Sequence, residues 1–375
     1  MNTQSETFEI RWIGTKTGKQ ASGDCTLLRW GYLADPAQTQ VALIDSGRNV
    51  DDLEHLTTLL KELGVTRIDY LIGTHTDDDH IGQFQGLLDD ESFGFGELWI
   101  LDPFDHLTAY DEHIESVATA SIDATIKTVQ HPRVLSGEIT KVNPRPLSTT
   151  SDDGKLIVLG PTQRYYKRLL PRIFDYERLM TGRDELALLA ALSSASIEQP
   201  QTPAPVAVVE SQWGVDRLGA GRGNPANNAS LLLLFTTPAG LQVLFTGDAG
   251  VEAFDEAKST FNDPDSGYDQ SKLSHVQLPH HGAHANVSAE LLDWLLGSKI
   301  EDRDEADEAV TKMDRRCIAM NGKNDPHHAS GAVTDAAYQR GWSPIATNSR
   351  EIVTNRFEGT TLPRIEPIRF GENPK

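Results

Sequence analysis

A histidine- and aspartate-rich hexapeptide, His75-Thr76-Asp77-Asp78-Asp79-His80, follows directly after the apolar run Tyr70-Leu71-Ile72-Gly73-Thr74. A short apolar run of this kind predicts a buried strand. In α/β proteins the loops at strand ends converge and hold ligands, while the sheet behind them stays rigid. Imidazole nitrogens and carboxylate oxygens are suitable ligands for zinc, manganese and iron. The hexapeptide therefore predicts a metal site at the end of a buried strand.

The bulk properties are those of a soluble globular protein. The chain has 375 residues, of which 38% are hydrophobic and 24% charged. Its longest apolar run, Leu231 to Phe235, is far below the roughly 20 residues that a membrane helix needs. The segment Met1 to Ile10 has neither the basic nor the apolar region of a signal peptide. Because Cys25 and Cys317 lie far apart, a disulfide framework is not expected, and we expect a cytoplasmic protein with no membrane segment.

The formal net charge of −21 restricts the class of partner. Such a surface repels phosphate backbones, so non-specific binding to duplex nucleic acid is not expected without a local basic stripe. A bound metal ion would add positive charge at the site itself. The global charge therefore leaves a phosphate-bearing substrate open.

Periodicity predicts an alternation of strands and helices. Thr7 to Ile13 alternates as a strand does, and Asp51 to Leu63 has the apolar spacing of a helix that Gly64 ends. The acidic stretch Glu301 to Glu308 predicts an exposed connection. Further strands are predicted at 25–30, 41–45, 70–74, 98–101, 156–161, 230–235, 242–245, 275–278, 317–320 and 343–346, and further helices at 81–88, 113–129 and 334–340.

Residues 162–225 interrupt this alternation. They contain a basic and aromatic piece, Arg164 to Arg168, a helix-like run from Leu186 to Leu192, and a proline-rich stretch. We expect one domain over residues 1–375, with an insertion or lid at about 162–225 that a protein partner could use. The basic piece could contact an anionic substrate, but we favour a helix that carries arginines on its surface.

Polar residues of metal-ligand type follow four predicted strands. These are the 75–80 loop, Asp248, the pair His280-His281 and the pair His327-His328. Two-metal hydrolase sites are assembled in this way from distant parts of a chain. His75 and Asp77, two residues apart, point the same way in an extended chain. They could hold one ion while Asp79 and His80 hold another, roughly 3.5–4 Å away, with Asp248 as the bridging carboxylate.

The segment His75 to Gly82 resembles the signature of the metallo-β-lactamase fold, whose usual form has a histidine in place of Asp77. The variant with aspartate resembles the hydrolase domain of bacterial DNA-uptake (competence) channel proteins. Residues 23–28 and 43–47 resemble its opening hairpin, and residues 321–328 its C-terminal signature. Four other segments appear in the family's order, at 159–161, 227–231, 244–248 and 278–282.

This resemblance implies an α/β (α+β) fold, a four-layer αββα sandwich of two mixed sheets with helices outside. It implies a metal-dependent hydrolase with two divalent ions, zinc or manganese. The leading expectation is a phosphodiesterase or nuclease that uses a metal-bound hydroxide on a small-molecule or nucleic-acid phosphodiester. Two alternatives stay open: hydrolysis of a lactone, ester or amide, which suits the acidic surface better, and a non-catalytic metal-binding scaffold or sensor.

The resemblance also assigns roles to individual residues. The metal ligands it implies are His75 and Asp77 at the first site, Asp79 and His80 at the second, Asp248 as the bridge, and one histidine of the pair 280–281, of which we favour His280. Catalytic roles are expected for Asp79, for His281 as a proton donor or phosphate contact, and for Asn228 and His328 as contacts to substrate or a tetrahedral intermediate. Many family members carry a further ligand histidine before the bridging aspartate, but here that stretch offers only His106, His113 and His131.

Other polar residues have local explanations. Asp78 is expected to be solvated or to cap a helix. Asp45 could cap a turn or hold a ligand histidine, and we leave both open. His284 and His327 are expected at the surface.

Overall fold

Two mixed β-sheets form the centre of the molecule. The computed structural model describes residues 6–14, 23–32, 35–106, 120–181, 212–219, 223–322, 328–354 and 368–372, with residues 104, 120–123 and 174–181 described by their backbone alone. Within those ranges the strands are β1 (Thr7–Ile13), β2 (Thr26–Gly31), β3 (Thr39–Ile44), β4 (Arg67–Ile72), β5 (Gly94–Trp99), β6 (Thr140–Val142), β7 (Leu156–Gly160), β8 (Leu232–Thr236), β9 (Gln242–Phe245), β10 (Leu273–Gln277), β11 (Arg316–Ala319), β12 (Ser343–Ala346) and β13 (Glu351–Thr354).

Each sheet is part parallel and part antiparallel. The first has the order β13-β1-β2-β3-β4-β5-β6, with parallel pairing from β3 to β6. The second has the order β12-β11-β10-β9-β8-β7, with parallel pairing from β12 to β9. The carboxyl ends of parallel neighbours meet at one edge of a sheet, so the loops after β4, β9 and β10 can converge.

Alternating strand residues supply two separate cores. On β2, Leu28 joins the core between the sheets, whereas Leu27 joins the core under the outer helices, as the two-residue period of a strand requires. Large rings fill the space between the sheets. Trp30 lies 5.4 Å from Phe235 and Trp12 lies 5.3 Å from Phe245, centroid to centroid. Burial of these aromatic surfaces holds the two sheets face to face.

Helices cover both outer faces. The first sheet's outer core includes Leu56, Leu60, Phe84 and Leu87, and the helices behind the second sheet bury residues such as Phe254. The predicted four-layer αββα sandwich is confirmed. In chain order the helices are α1 (Val50–Glu62), α2 (Asp78–Ile81), α3 (Phe84–Asp89), α4 (Ala120–Val129), α5 (Pro132–Leu135), α6 (Gln163–Thr181), α7 (Val251–Phe261), α8 (Pro279–Gly282), α9 (Ala289–Leu296), α10 (Arg303–Lys312) and α11 (Gly331–Tyr338).

The structure differs from two predictions of local structure. The single helix expected at 81–88 is divided into α2 and α3. The acidic stretch Glu301 to Glu308, expected to be an exposed connection, enters the helix α10. The Asp302 side chain caps this helix by accepting hydrogen bonds from the backbone N–H groups of Asp304 and Glu305. Ala306 and Val310, one turn apart, are buried. Two apolar contacts and a good cap are sufficient to order a helix whose other faces are charged.

The start of the 162–225 segment belongs to the main core. Tyr165, Tyr166 and Leu169 on α6 are buried, while Arg168 and Arg172 on its surface form ion pairs with glutamates of α7. The favoured interpretation of the basic and aromatic piece, a helix with surface arginines, is confirmed. The run at 186–192, His113 and His327 lie outside the described residues, so the insertion or lid stays a prediction. In the part of the chain that is described, no helix is long and apolar enough to cross a bilayer.

Candidate metal centre

The loops after three strands from both sheets meet at one edge of the sandwich. The loop after β4 in the first sheet brings His75, Asp79 and His80, and the loops after β9 and β10 in the second bring Asp248 and His281. We call these five residues the His/Asp cluster. The metal-ligand atoms of His75, His80 and Asp248 lie within 4.8 Å of one another, as do those of Asp79, His80 and His281.

His80 is fixed by a second carboxylate behind it. Its ring is fully buried, and its Nδ1 lies 2.7 Å from Oδ2 of Asp45. Asp45 also accepts hydrogen bonds from the backbone N–H and the hydroxyl of Thr74. Because an ionised carboxylate can only accept, Nδ1 of His80 carries the proton. Nε2 is directed into the cluster, 3.2 Å from Oδ1 of Asp248, and it can bind a cation once it has lost its proton.

His281 is held in the same way. Its Nδ1 lies 3.0 Å from Oδ1 of Asp24, whose other oxygen accepts a hydrogen bond from the Gln277 side chain. Its Nε2 lies 3.5 Å from Oδ2 of Asp79 and 3.9 Å from Oδ1 of Asp248. A carboxylate on the far nitrogen of a histidine is the usual support for a metal-ligating ring, since it sets both the tautomer and the orientation.

The two oxygens of Asp248 face two different groups. Oδ1 faces His80 and His281, as above. Oδ2 lies 3.9 Å from Nε2 of His75 and 2.5 Å from Nδ1 of His280. The turn before Asp248 places Gly247 at φ +49°, and a Cβ there would approach Thr74 to 3.0 Å, so a glycine is needed. The two oxygens of Asp248 therefore face different histidines of the site.

Three atoms of the cluster test whether a cation fits. Nε2 of His75, Nε2 of His80 and Oδ1 of Asp248 are buried and have no hydrogen-bond partner. A buried polar atom without a partner costs about 1–3 kcal/mol. Here the unpartnered atoms are two imidazole nitrogens and a carboxylate oxygen, and the three residues that carry them lie with their ligand atoms within 4.8 Å of one another. This donor set fits a divalent cation.

The carboxylates and histidines of the cluster shift one another's pKa values. Burial opposes protonation of His80, but the carboxylates of Asp248 and Asp45 outweigh it and raise the pKa of His80 well above its usual value. Asp248 and Asp24 raise the pKa of His281 in the same direction against the effect of burial. Burial disfavours ionised Asp248, yet the surrounding histidines hold its pKa well below the usual value. A cation bound here would replace these protons and release them.

The structure places the two histidines after β10 in different surroundings, and which of them binds a cation stays a prediction. We favoured His280 as the ligand, but His281 is the member that lies with Asp79 and His80, and it is 2% exposed. The side chain of His280 is 29% exposed, and its Nδ1 is in polar contact with Asp248 and Asn227. The reason lies in the backbone, because both residues have positive φ, at 48° and 55°. Such a turn directs consecutive side chains in a way that sequence spacing does not reveal.

Other residues that we predicted for the site lie around the cluster. Asp77 is on the rim, with Oδ2 3.6 Å from Nε2 of His75. Asp78 is exposed, in keeping with a solvated residue. The ring of His328 lies 5.1 Å from that of His280 and 5.3 Å from that of His281, centroid to centroid. Its contact with a substrate stays a prediction.

Asn228 is placed differently from the prediction that it contacts substrate. It is fully buried, its Oδ1 accepts from the backbone N–H of Gly250 and its Nδ2 donates to the carbonyl of Gly223. These bonds fix the backbone instead of presenting the amide to a ligand. Its neighbour Asn227, which sequence reasoning missed, is the asparagine that reaches Asp248 and His280.

Two histidines of the intervening stretch do not join the cluster. His106 is bonded to Asn143 and packs on Tyr166, and His131 is bonded to Asp89. Asp24 was also missed as a partner of a ligand histidine. It belongs to the segment 23–28 that resembles the family's opening hairpin, and this was the available signal.

The support of His80 by Asp45 gives a first testable expectation. Asp45→Asn should weaken metal affinity by about 10- to 100-fold, because an amide no longer stabilises the ring as a carboxylate does. Metal titration with a competing chelator measures the change. Asp89→Asn is a matched control, since it removes the carboxylate of a histidine pair outside the cluster and should leave metal affinity intact. Equal losses in both variants would contradict the assignment.

Comparison with known proteins adds only similarities of overall shape. No family model matches the chain, and no curated protein is similar to it in sequence. Igni18, a metallo hydrolase from Ignicoccus hospitalis, is 10% identical, with 94% of this chain and 100% of that chain covered and a TM-score of 0.39. Unliganded yeast PDE1 is 10% identical, with 89% and 91% covered and a TM-score of 0.40.

A third solved structure, Zn²⁺-bound PqqB from Methylobacterium extorquens, is 9% identical, with 93% of this chain and 100% of that chain covered and a TM-score of 0.40. At these values the similarity says nothing about activity. None of the three is a DNA-uptake channel protein, so the narrower resemblance stays a prediction. The chemistry of the site has to be argued from its own residues.

Proposed function

We propose that this chain is a metal-dependent hydrolase that cleaves a phosphodiester with the help of two divalent cations, zinc or manganese. The observation that carries the proposal is the placement of Asp248. Its two oxygens face two separate histidine groups, and the cluster contains buried ligand atoms without hydrogen-bond partners. A bridging carboxylate between two ligand sets is the arrangement that two-metal hydrolases use.

Each side of Asp248 would hold one cation. His75 and Asp77 supply donors on the Oδ2 side, and Asp79, His80 and His281 supply them on the Oδ1 side. Divalent cations bound there would polarise a substrate oxygen and lower the pKa of a water molecule. Asp24 and Asp45 orient the histidine rings from behind. His75, His80 and Asp248 are almost fully buried, whereas the side chains of Asp77 and His280 are each 29% exposed.

The charges around the site favour a small phosphodiester. A guanidinium, that of Arg48, lies at the edge of the cluster, 3.4 Å from Asp79, and could stabilise an anion. The net charge of −21 opposes long polyanions. The same acidity suits an uncharged lactone, ester or amide, and this is the second candidate.

The test is a substrate panel with and without metal. We expect the zinc- or manganese-loaded protein to hydrolyse bis-p-nitrophenyl phosphate, to lose this activity with a chelator, and to regain it when metal returns. Lactones and p-nitrophenyl acetate form the second arm. Hydrolysis of these alone would replace the phosphodiester proposal with the second candidate. No turnover, together with less than about 0.3 metal per chain, would favour a non-catalytic scaffold.

A further inference from the structure

A cavity of about 320 Å³ opens beside the His/Asp cluster. It lies between α2, α4 and the loop that follows β3, and its lining includes Arg48, Asp78, Gln85 and Lys127. Arg48, which lines the cavity, also lies 3.4 Å from Asp79, a member of the cluster. This side chain therefore connects the cavity to the cluster.

The backbone of Arg48 is held firmly at the border between the two. Its N–H donates to Oδ2 of Asp52 at 3.0 Å, and its carbonyl accepts from the side chain of Gln83 at 2.6 Å. The preceding Gly47 has φ +75°, and a Cβ there would lie 3.0 Å from Asp52. The side chain that starts from this fixed backbone is 47% exposed. Arg48 is thus anchored at its base and accessible at its tip.

The Arg48 guanidinium contacts the cluster through the carboxylate of Asp79. It contacts Oδ1 of Asp79 at 3.4 Å, while Oδ2 of the same carboxylate faces His281. This ion pair joins a basic side chain to a carboxylate of the cluster. A guanidinium has five N–H donors in a fixed planar array, so the contact with Asp79 leaves capacity for a second anion.

The charges of the cavity suit an anionic group. The cavity lining holds two cationic side chains, Arg48 and Lys127, and one carboxylate, that of Asp78, while Asp79 pairs with Arg48 from outside the lining. Arginine binds phosphate through paired N–H donors and remains charged at every working pH. On a chain with a net charge of −21, two cationic side chains in a cavity next to the cluster indicate recognition of an anion.

We propose that Arg48 and the cavity beside it form a subsite for a second phosphate of the substrate, next to the phosphodiester that is cleaved. This inference rests on the proposed function and narrows its substrate class to phosphodiesters that carry a further phosphate. The second phosphate binds to the Arg48 guanidinium, with Lys127 at the far side. Arg48 acts here in substrate binding and specificity.

A pair of substrates that differ by one phosphate tests the subsite. Thymidine 5′-(p-nitrophenyl phosphate) and its 3′-phosphorylated form have the same leaving group. We expect kcat/KM to be about tenfold higher for the phosphorylated form, the factor that a charge-assisted hydrogen bond contributes, and Arg48→Gln to bring the ratio close to one. Arg67→Gln is the matched control, because Arg67 is an exposed, ion-paired arginine at the opposite end of β4, and it should keep the wild-type ratio.

A binding measurement can show whether the subsite or the proposed hydrolase function is wrong. Calorimetry with thymidine 3′,5′-bisphosphate on the metal-free protein should show weaker binding by Arg48→Gln than by the wild type. If both substrates are cleaved at equal rates, the subsite is wrong and the hydrolase stands. If neither is cleaved, the hydrolase fails, and equal bisphosphate binding by wild type and variant would then also overturn the subsite. A substrate whose 3′-phosphate is esterified to a second nucleoside distinguishes a terminal phosphate from an internal one.

Discussion

Replacement of Asp248 by alanine should lower turnover by at least about 10³-fold, because the two oxygens of this carboxylate face the two proposed ligand sets. Metal content should fall as well, since each set loses one of its oxygens. The measurement is kcat on bis-p-nitrophenyl phosphate together with metal analysis after dialysis. The fold should persist, because the side chain lies at the edge of the sandwich and not within the aromatic core between the sheets.

Two further variants make the result interpretable. Asp248→Asn keeps the shape of the side chain and removes its charge, so it should behave as the alanine variant does if charge and bridging matter. Asp255→Ala removes an exposed aspartate on the adjacent helix α7 and should leave activity and metal content unchanged. Survival of more than about a tenth of the activity in Asp248→Ala would show that the carboxylate does not bridge two ions.

The neighbouring histidines after β10 should respond very differently to the same substitution. His281→Ala should reduce metal affinity and kcat by about 100-fold or more, because it removes a buried ligand that Asp24 orients. His280→Ala should change metal content little and lower kcat by about tenfold at most, since this ring is part-exposed and bonds to Asp248 from the side. Metal titration and steady-state kinetics on the two proteins measure the difference.

This comparison contains its own control, because the two variants remove the same side chain from adjacent positions with similar backbone conformation. The opposite order, with His280→Ala losing metal and His281→Ala retaining it, would restore the expectation from sequence. A similar loss in both would indicate that the turn itself, and not one ring, determines metal binding.

The sequence was most informative where one local pattern determines both structure and chemistry. The patterns of short strands predicted β1 and β12 to the residue, and the ligand-rich loop after β4 predicted where the His/Asp cluster lies. The acidic run at 301–308 was misassigned because its charge suggested a solvated loop, while the two buried residues that order α10 are one turn apart and easily overlooked.

Contacts between distant segments were harder to predict from the sequence. Asp24 supports His281 across more than 250 positions, and no local pattern marks one aspartate among many as such a partner. His280 and His281 are adjacent residues of the same type, as are Asn227 and Asn228, so the sequence does not show which member of each pair reaches the cluster. Only the backbone angles and the surrounding hydrogen bonds decide which of the two reaches the cluster.

The way the chain completes its first sheet has a consequence for the order of folding events. β13, near the C-terminal end of the described chain, pairs with β1, while the cluster joins loops from both sheets. A cation can therefore find its full ligand set only after both sheets have formed and packed. Bound metal should therefore slow unfolding and leave the early collapse of the chain unaffected. The reason is that an ion that binds only the native state acts after the rate-limiting contacts of folding have been made.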